Sequence, residues 1–439
     1  MIAKRIFGLL SLVSMISLLW MASNNPLDKK ANYGRLIVER SKTAVTMETE
    51  NPFTTNFSKI PNSNRSLLMT TASISANTDV MNYKRAAVMM TYLHNITLKF
   101  PTRIDEFFSN VAGIFSNPWS HDVNNMELFR LFYKNETKKN FYDSVMLTQR
   151  NTVNTSYGGI ELPKESLLPR PPYKSCSVVG SSGILLGSKC GRLIDEKDFV
   201  FRFNLASIAG FEEDVGRKTN MTTMNPSILT RFGMLASASN RTEFSRSKLA
   251  DQEGLIWTPM TNRYINRTLD AIELRNDSHM TLVIGNMNHF NENAELWKKY
   301  GLIRTKRLRP TTGFYFVSCA VHLCSEVHLY GFWPFTTSLD GRDIPAHYYD
   351  DIIITKYHDA SHEIKLLLNM HRLGLLKFHI ENCETGNVTY VPGRPVRAVS
   401  AAATNGTKKV RKIIKKIIKK VYRKKIKVTQ GKNDQEGPN

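Results

Sequence analysis

Between Tyr173 and Ile380 short β-branched runs take turns with helical stretches, and this alternation constrains the fold more than anything else in the chain. "SVV", "FVFRFN", "TLVIGN" and "VHLYGFWPF" recur among segments such as "GILLGSKCG" and "GFYFVSCAVHLC". Strands joined by crossover helices predict an α/β domain on a largely parallel sheet. The 439 residues allow one large domain with tails or two smaller ones, and no internal repeat is visible.

The flanks have a different character. Lys4 and Arg5 close a short cytoplasmic tail, residues 1–5, ahead of an apolar run over residues 6–22 that is long enough to span a bilayer. The basic residues before it and a poor small-x-small pattern after it favour a type II signal anchor over a cleaved signal peptide. Residues 23–80, rich in Asn, Ser, Thr and Lys without an apolar period, read as a flexible stem. The globular domain is expected over residues 81–383, opening with two helices between Arg85 and Phe115 that break at Pro101.

A linker over residues 384–407 leads to a polybasic segment, residues 408–428, and a polar tail, residues 429–439. The polybasic segment carries twelve basic residues and no acidic one; without it the formal charge of +22 would be +10. Its Val410, Ile413, Ile414, Ile417, Ile418, Val421 and Tyr422 recur at helical spacing, so an amphipathic cationic helix is expected. Its partner would be a membrane surface or a polyanionic glycan; a solvated tail without a dedicated partner is the plain alternative.

Asn-x-Ser/Thr acceptor sites at Asn56, Asn64, Asn95, Asn135, Asn154, Asn220, Asn240, Asn266, Asn276, Asn387 and Asn405 suit a lumenal or secreted chain. Cys176, Cys190, Cys319, Cys324 and Cys383 are too dispersed for a zinc site or a small disulfide scaffold. In an oxidising lumen two bridges and one spare thiol are expected.

Four stretches carry chemistry. In "CSVVGSSGILL" a strand should end at Gly180, and the turn Gly180 to Gly183 should lead into a helix whose free N–H groups seat an anion or nucleotide. Glycines also serve turns that hold nothing, and neither the dinucleotide fingerprint nor a P-loop lysine is present. In "RPTTGFYFVSCAVHLC" Thr311, Thr312 and Gly313 open an apolar helix and offer hydroxyls and N–H groups of the same kind. "AHYYDD" and "YHDASHEIKLLLNMH" set histidines beside acids, the pairing that proton transfer near neutral pH requires, although a single histidine is more often structural. With no Asp-x-Asp and no H-E-x-x-H element, no metal and no cofactor is expected.

Taken in order, these motifs resemble those of the animal sialyltransferases, glycosyltransferase family 29, and are most similar to the α2,8 group. "CSVVGSSGILLGSKCGRLIDEKDFVFRFN" onward is similar to the long sialylmotif, "LRPTTGFYFVSCAVHLCSEVHLYGFWPF" to the short one, "HYYD" to motif III, and "HDASHE" to the very short motif. The resemblance spans roughly Arg85 to Cys383. It implies a GT-A-like variant with a Rossmann-type sheet, CMP-sialic acid as donor, inversion without metal, a sialylated glycoprotein or glycolipid acceptor, and a Golgi membrane protein with a lumenal catalytic domain. A homo-oligomer is compatible with it, and a nucleic-acid partner is not expected.

By this resemblance Ser181 stands where the family usually has asparagine, Asn204 is a nucleotide contact, and Thr311, Thr312 and Gly313 form the donor loop. Trp333, Pro334 and Phe335 wall the nucleotide. His358 is the implied general base and His347 the group beside the departing phosphate. The interval between these histidines is shorter than the family norm, which leaves His362 as a rival base. Cys176 is implied to pair with Cys324 and Cys190 with Cys383, with Cys319 free. The stretch before the short motif mixes Glu292 and Glu295 with its cations, which favours transfer of one or a few sialic acids.

A serine hydroxyl offers less than the amide it replaces. A catalytically weak glycan-binding relative therefore stands as the alternative reading, beside a transferase of α2,3 or α2,6 linkage. An unrelated polyanion-binding membrane protein would leave the ordered motifs unexplained.

Overall fold

The computed structural model describes residues 71–137, 141–157, 159–259, 262–276, 279–300, 309–350 and 358–391. The expected anchor, most of the stem, the end of the linker and the polybasic segment lie outside these residues. Among the described residues no helix is long and apolar enough to cross a membrane.

Seven strands build the main sheet: β1 (Tyr173–Val179), β2 (Phe199–Arg202), β3 (Met221–Thr223), β4 (Gly254–Thr258), β5 (Met280–Ile284), β6 (Cys324–Tyr330) and β7 (Lys377–His379). Their order is β5-β4-β3-β2-β1-β6-β7, and every neighbouring pair is parallel. β1, β2, β5 and β6 fall on apolar runs evident in the sequence. β3, β4 and β7 do not stand out there, because the outer two of these three have only three residues in which to show a pattern.

Among the described residues eight longer helices cover the sheet: α1 (Thr71–Leu98), α2 (Ile104–Phe115), α3 (Val123–Thr137), α4 (Ala238–Lys248), α5 (Asn262–Glu273), α6 (Met287–Lys299), α7 (Thr312–Leu323) and α8 (Ala360–Arg372). Because successive strand residues face opposite sides, β1 sends Cys176 and Val178 into one core with Met89, Phe129, Trp297, Phe316 and Leu368. Its neighbour Val179 turns instead into a smaller core with Val200, Val215 and Tyr330. Burial on both faces is why these strands read as continuous apolar runs.

The break at Pro101 falls between α1 and α2, as expected. α1, however, begins at Thr71, inside the stretch read as stem. Ala86, Met89, Met90 and Leu93 are buried in its C-terminal half, and a helix anchored there can propagate backwards through residues with no apolar pattern of their own. Both expected bridges form, Cys176–Cys324 and Cys190–Cys383, and Cys319 is free and buried.

Candidate active site

The chain lays down β1 to β5 in one direction and then returns to place β6 and β7 on the other side of β1. β1 and β6 are therefore the strands between which the winding reverses, and a crevice opens beyond their C-terminal ends. β1 runs out at Gly180 and β6 at Gly331, so the two glycine-bearing turns meet there.

They meet closely. A Cβ on Gly180 would lie 2.3 Å from the Gly331 carbonyl oxygen, and one on Gly183 would lie 2.3 Å from that of Pro345. The N–H groups of Gly180, Ser182 and Gly183 donate to the carbonyls of Tyr330, Gly331 and Pro345 at 2.7, 3.0 and 3.2 Å. The Ser182 hydroxyl donates to the Trp333 carbonyl at 2.7 Å. This narrows the expected anion seat at the turn, since three of its four N–H groups, those of Gly180, Ser182 and Gly183, are committed to protein. The expected helix is also reduced to the 3₁₀ turn Gly183–Leu185, because Leu186 adopts ψ 118° and Gly187 φ +74°. Asp214 then accepts from the N–H groups of Gly187 and Lys189, steering the chain towards Cys190.

Further N–H groups for a ligand are at the second turn. Thr312 and Gly313 begin α7, and a helix supplies no internal acceptor for its first N–H groups. Thr311 caps that helix by accepting from the Phe314 N–H at 3.0 Å. Thr311 itself is held by Glu363 of α8: its N–H and hydroxyl donate to the two carboxylate oxygens at 2.8 and 2.7 Å. Burial pushes the Glu363 carboxyl up to about 7, against the lowering effect of these bonds.

Gly180, Ser181, Asn204, Thr311, Thr312, Gly313, Trp333, Pro334, His347, His358 and Glu363 line one cleft of about 260 Å³. Nearly all the residues singled out in the sequence are thus brought together. Phe335 is the exception: it is buried, with its ring 5.4 Å from Phe107 and 5.2 Å from Phe108, and braces the wall from behind. His362 is buried in α8 and does not line the cleft, whereas His358 does.

Both cleft histidines are oriented through Nδ1. His358 Nδ1 lies 2.9 Å from the Arg309 carbonyl, an acceptor only, so Nδ1 carries the proton and Nε2 keeps its lone pair. His347 Nδ1 lies 2.7 Å from Asp350 Oδ1, and Arg231 reaches the other oxygen of Asp350 at 3.5 Å. Asn204 sits at φ +62°, and its side-chain oxygen accepts from the Asn225 N–H at 3.2 Å.

Asn225 was not apparent from the sequence. Its side chain pairs with the Thr312 hydroxyl at 3.4 Å, and its signal was an asparagine placed directly before Pro226, the first residue of a short helix. Phe203 and Phe332, whose rings lie 6.0 Å apart, also line the cleft and read in the sequence only as strand hydrophobics. A roomier groove of about 450 Å³ lies elsewhere, lined by Asn110, Trp119, His371 and Arg372. The His371 Nδ1 in that groove is engaged, accepting from the Phe378 N–H at 3.1 Å.

A parallel α/β sheet with a histidine-lined cleft at its winding reversal defines the class: an α/β scaffold with an enzyme-like cleft. Residues 120–375 match the family glycosyltransferase family 29 (sialyltransferase), and the chain belongs to that family. It is 37% identical over 220 residues to an alpha-N-acetylneuraminide alpha-2,8-sialyltransferase of Xenopus laevis, covering 48% of this chain and 60% of that protein. The Bos taurus protein of that name is 32% identical over 290 residues, covering 63% and 78%. The chain thus spans less than two thirds of the frog relative's length. A solved mammalian sialyltransferase overlaps 64% of this chain and 87% of its own at 19% identity and a TM-score of 0.35.

Proposed function

We propose that this chain transfers sialic acid from CMP-sialic acid to a sialylated glycan on glycoprotein or ganglioside, forming an α2,8 linkage with inversion and without metal. The observation that carries the reading is the meeting of two oriented imidazoles with the α7 N-terminus in one cleft. The names of the relatives favour the α2,8 linkage.

In this reading the donor phosphate takes the N–H groups of Thr312 and Gly313, with cytidine towards Ser181, Asn204 and the Trp333–Pro334 wall. The acceptor hydroxyl oxygen attacks the anomeric carbon from the side opposite the phosphate. His358 Nε2 takes the hydroxyl proton, the bond from the anomeric carbon to the phosphate oxygen breaks, and its electron pair departs with CMP. His347 supports the charge that develops on the leaving phosphate. A monophosphate leaving group met in this way requires no cation clamp, in keeping with the absence of Asp-x-Asp from the sequence.

The apolar N-terminal run, the acceptor asparagines and the two bridges support a type II Golgi membrane protein with its catalytic domain in the lumen. The test is transfer from CMP-sialic acid with EDTA present, on α2,3-sialylated and asialo acceptors. Product on the sialylated acceptor alone is expected. CMP binding without turnover would instead establish the glycan-binding relative, which the serine at position 181 favours.

A further inference from the structure

Next to His347 stand two cations that donor binding and proton transfer leave unused. Arg231 closes the short helix Pro226–Arg231, which starts beside Asn225 in the cleft wall; its six residues, at about 1.5 Å each, carry its end about 9 Å from that wall. The Arg231 side chain is close to half exposed, and its Nη1 reaches Asp350 Oδ2 at 3.5 Å, while Asp350 Oδ1 holds His347 at 2.7 Å. Lys248 ends α4 with its Nζ 5.2 Å from the centre of the Tyr349 ring, and that ring stacks on His347 at 5.5 Å and 11°. Both cations are thus tied to the segment that carries His347, one through Asp350 and one through Tyr349. The nearest acid along the chain from Lys248, Asp251, is engaged elsewhere: its Oδ2 accepts from the N–H groups of Ile208 and Ala209 at 2.6 and 3.0 Å, and its Oδ1 from the Gln252 amide at 2.8 Å.

A sialylated acceptor carries a carboxylate on the anomeric carbon of its terminal sugar. In an α2,8 transfer the reacting hydroxyl belongs to the glycerol side chain, so this carboxylate trails the reacting oxygen by several bonds. The donor's carboxylate sits on the very carbon that the phosphate leaves, which keeps it beside the reacting centre. Cations set back from that centre therefore match the carboxylate of the acceptor. A guanidinium grips a carboxylate through parallel N–H bonds, and an ammonium adds a point charge. Burial holds the Lys248 ammonium below the ordinary lysine value, a cost that a carboxylate beside it would offset.

We propose that Arg231 and Lys248 determine acceptor specificity: they bind the carboxylate of the acceptor's terminal sialic acid and so hold its side-chain hydroxyl at His358. The inference rests on the sialylated-acceptor reading and names the residues that enforce it.

The test uses the full chain, CMP-sialic acid and an α2,3-sialylated trisaccharide acceptor offered either with its carboxylate free or as the methyl ester. The readout is kcat/KM for the acid divided by kcat/KM for the ester. Loss of folded protein, or an effect of Arg231 on His347 through Asp350, acts on both acceptors alike and drops out of that ratio. The wild type should favour the acid about 10- to 100-fold, the range of hydrogen bonds to a charged group. Arg231→Gln should remove most of this preference and Arg231→Lys should restore part of it, because a lysine returns the charge without the fork. Lys248→Gln should lower the preference about 3-fold, as the loss of one partly exposed charge does. The double variant should treat the two acceptors alike. A preference unchanged in all these variants, or a wild type indifferent to the ester, overturns the proposal and leaves the sialylated-acceptor reading standing. A wild type that transfers only to asialo acceptors, or to none, overturns both.

Discussion

Two regions of this molecule set histidines beside acids, and only one of them is placed to do chemistry. At the winding reversal, His347 and His358 are tied down through Nδ1 and line an open cleft. Across β6 and β7, Glu326, His328, His379 and Glu381 form a continuous hydrogen-bonded chain, with His328 Nδ1 2.9 Å from His379 Nε2. There both imidazoles are buried, and Tyr330 stacks on His379 at 4.3 Å. Residue type is the same in both places, so what sets the proposed catalytic histidines apart from the buried pair is access to the cleft.

The largest expected effect comes from removing one histidine of each kind. His358→Ala should lower kcat about 10²- to 10⁴-fold with the melting temperature little changed, because its side chain is only half-buried and makes one backbone contact. His328→Ala should keep its turnover per folded molecule and lose roughly 2 kcal/mol of stability. Parallel activity and melting measurements decide the matter, and the comparison fails if the two variants behave alike.

Acid should strike the buried chain first. Burial, reinforced by His379, holds His328 down to about 2, and burial likewise holds His371 down to about 4. The unfolded chain takes up these protons near 6.5, whereas the folded chain resists, so their stabilising effect is complete above that pH and fades as pH falls. A loss of about 2 kcal/mol between pH 7 and 4.5 is expected, reduced in His328→Gln, with unfolding midpoints as the measure.

Glu363 should show the opposite slope. Its carboxyl, raised to about 7 by burial, is neutral at little cost at pH 5 and must carry a buried charge above 7. Relative to Glu363→Gln, the wild type should lose roughly 1 to 3 kcal/mol from pH 5 to 8. A parallel pH dependence of the two proteins would contradict the assignment. The smallest effect is expected from Asp350→Asn, which leaves His347 in place with a weaker partner: kcat down about 3- to 10-fold, with KM for the donor little changed.

The sequence exposed those features that local chemistry dictates. Gly180, the Thr311 cap and the apolar β1 and β6 runs are legible because tight turns, helix starts and doubly buried strands each demand particular residues. The site followed from them, since the strands that flank a winding reversal deliver their loops to one place. What remained hidden depends on distant packing. Nothing local to Ser182 says that Gly331 and Pro345 will consume the N–H groups around it, and nothing near Asn225 points to Thr312. Phe335 alternates with Pro334 along the chain, and only the arrival of α2 decides that its ring faces inward.

The two bridges have a topological consequence. Cys176 and Cys190 both precede Cys324 and Cys383, so the bonds interlock rather than nest. Any single peptide cut between Cys190 and Cys324 leaves two fragments joined twice, one tie at each side of the turn that carries Ser181. A nicked molecule would migrate as one species until reduced, and its crevice would outlast the continuity of its backbone.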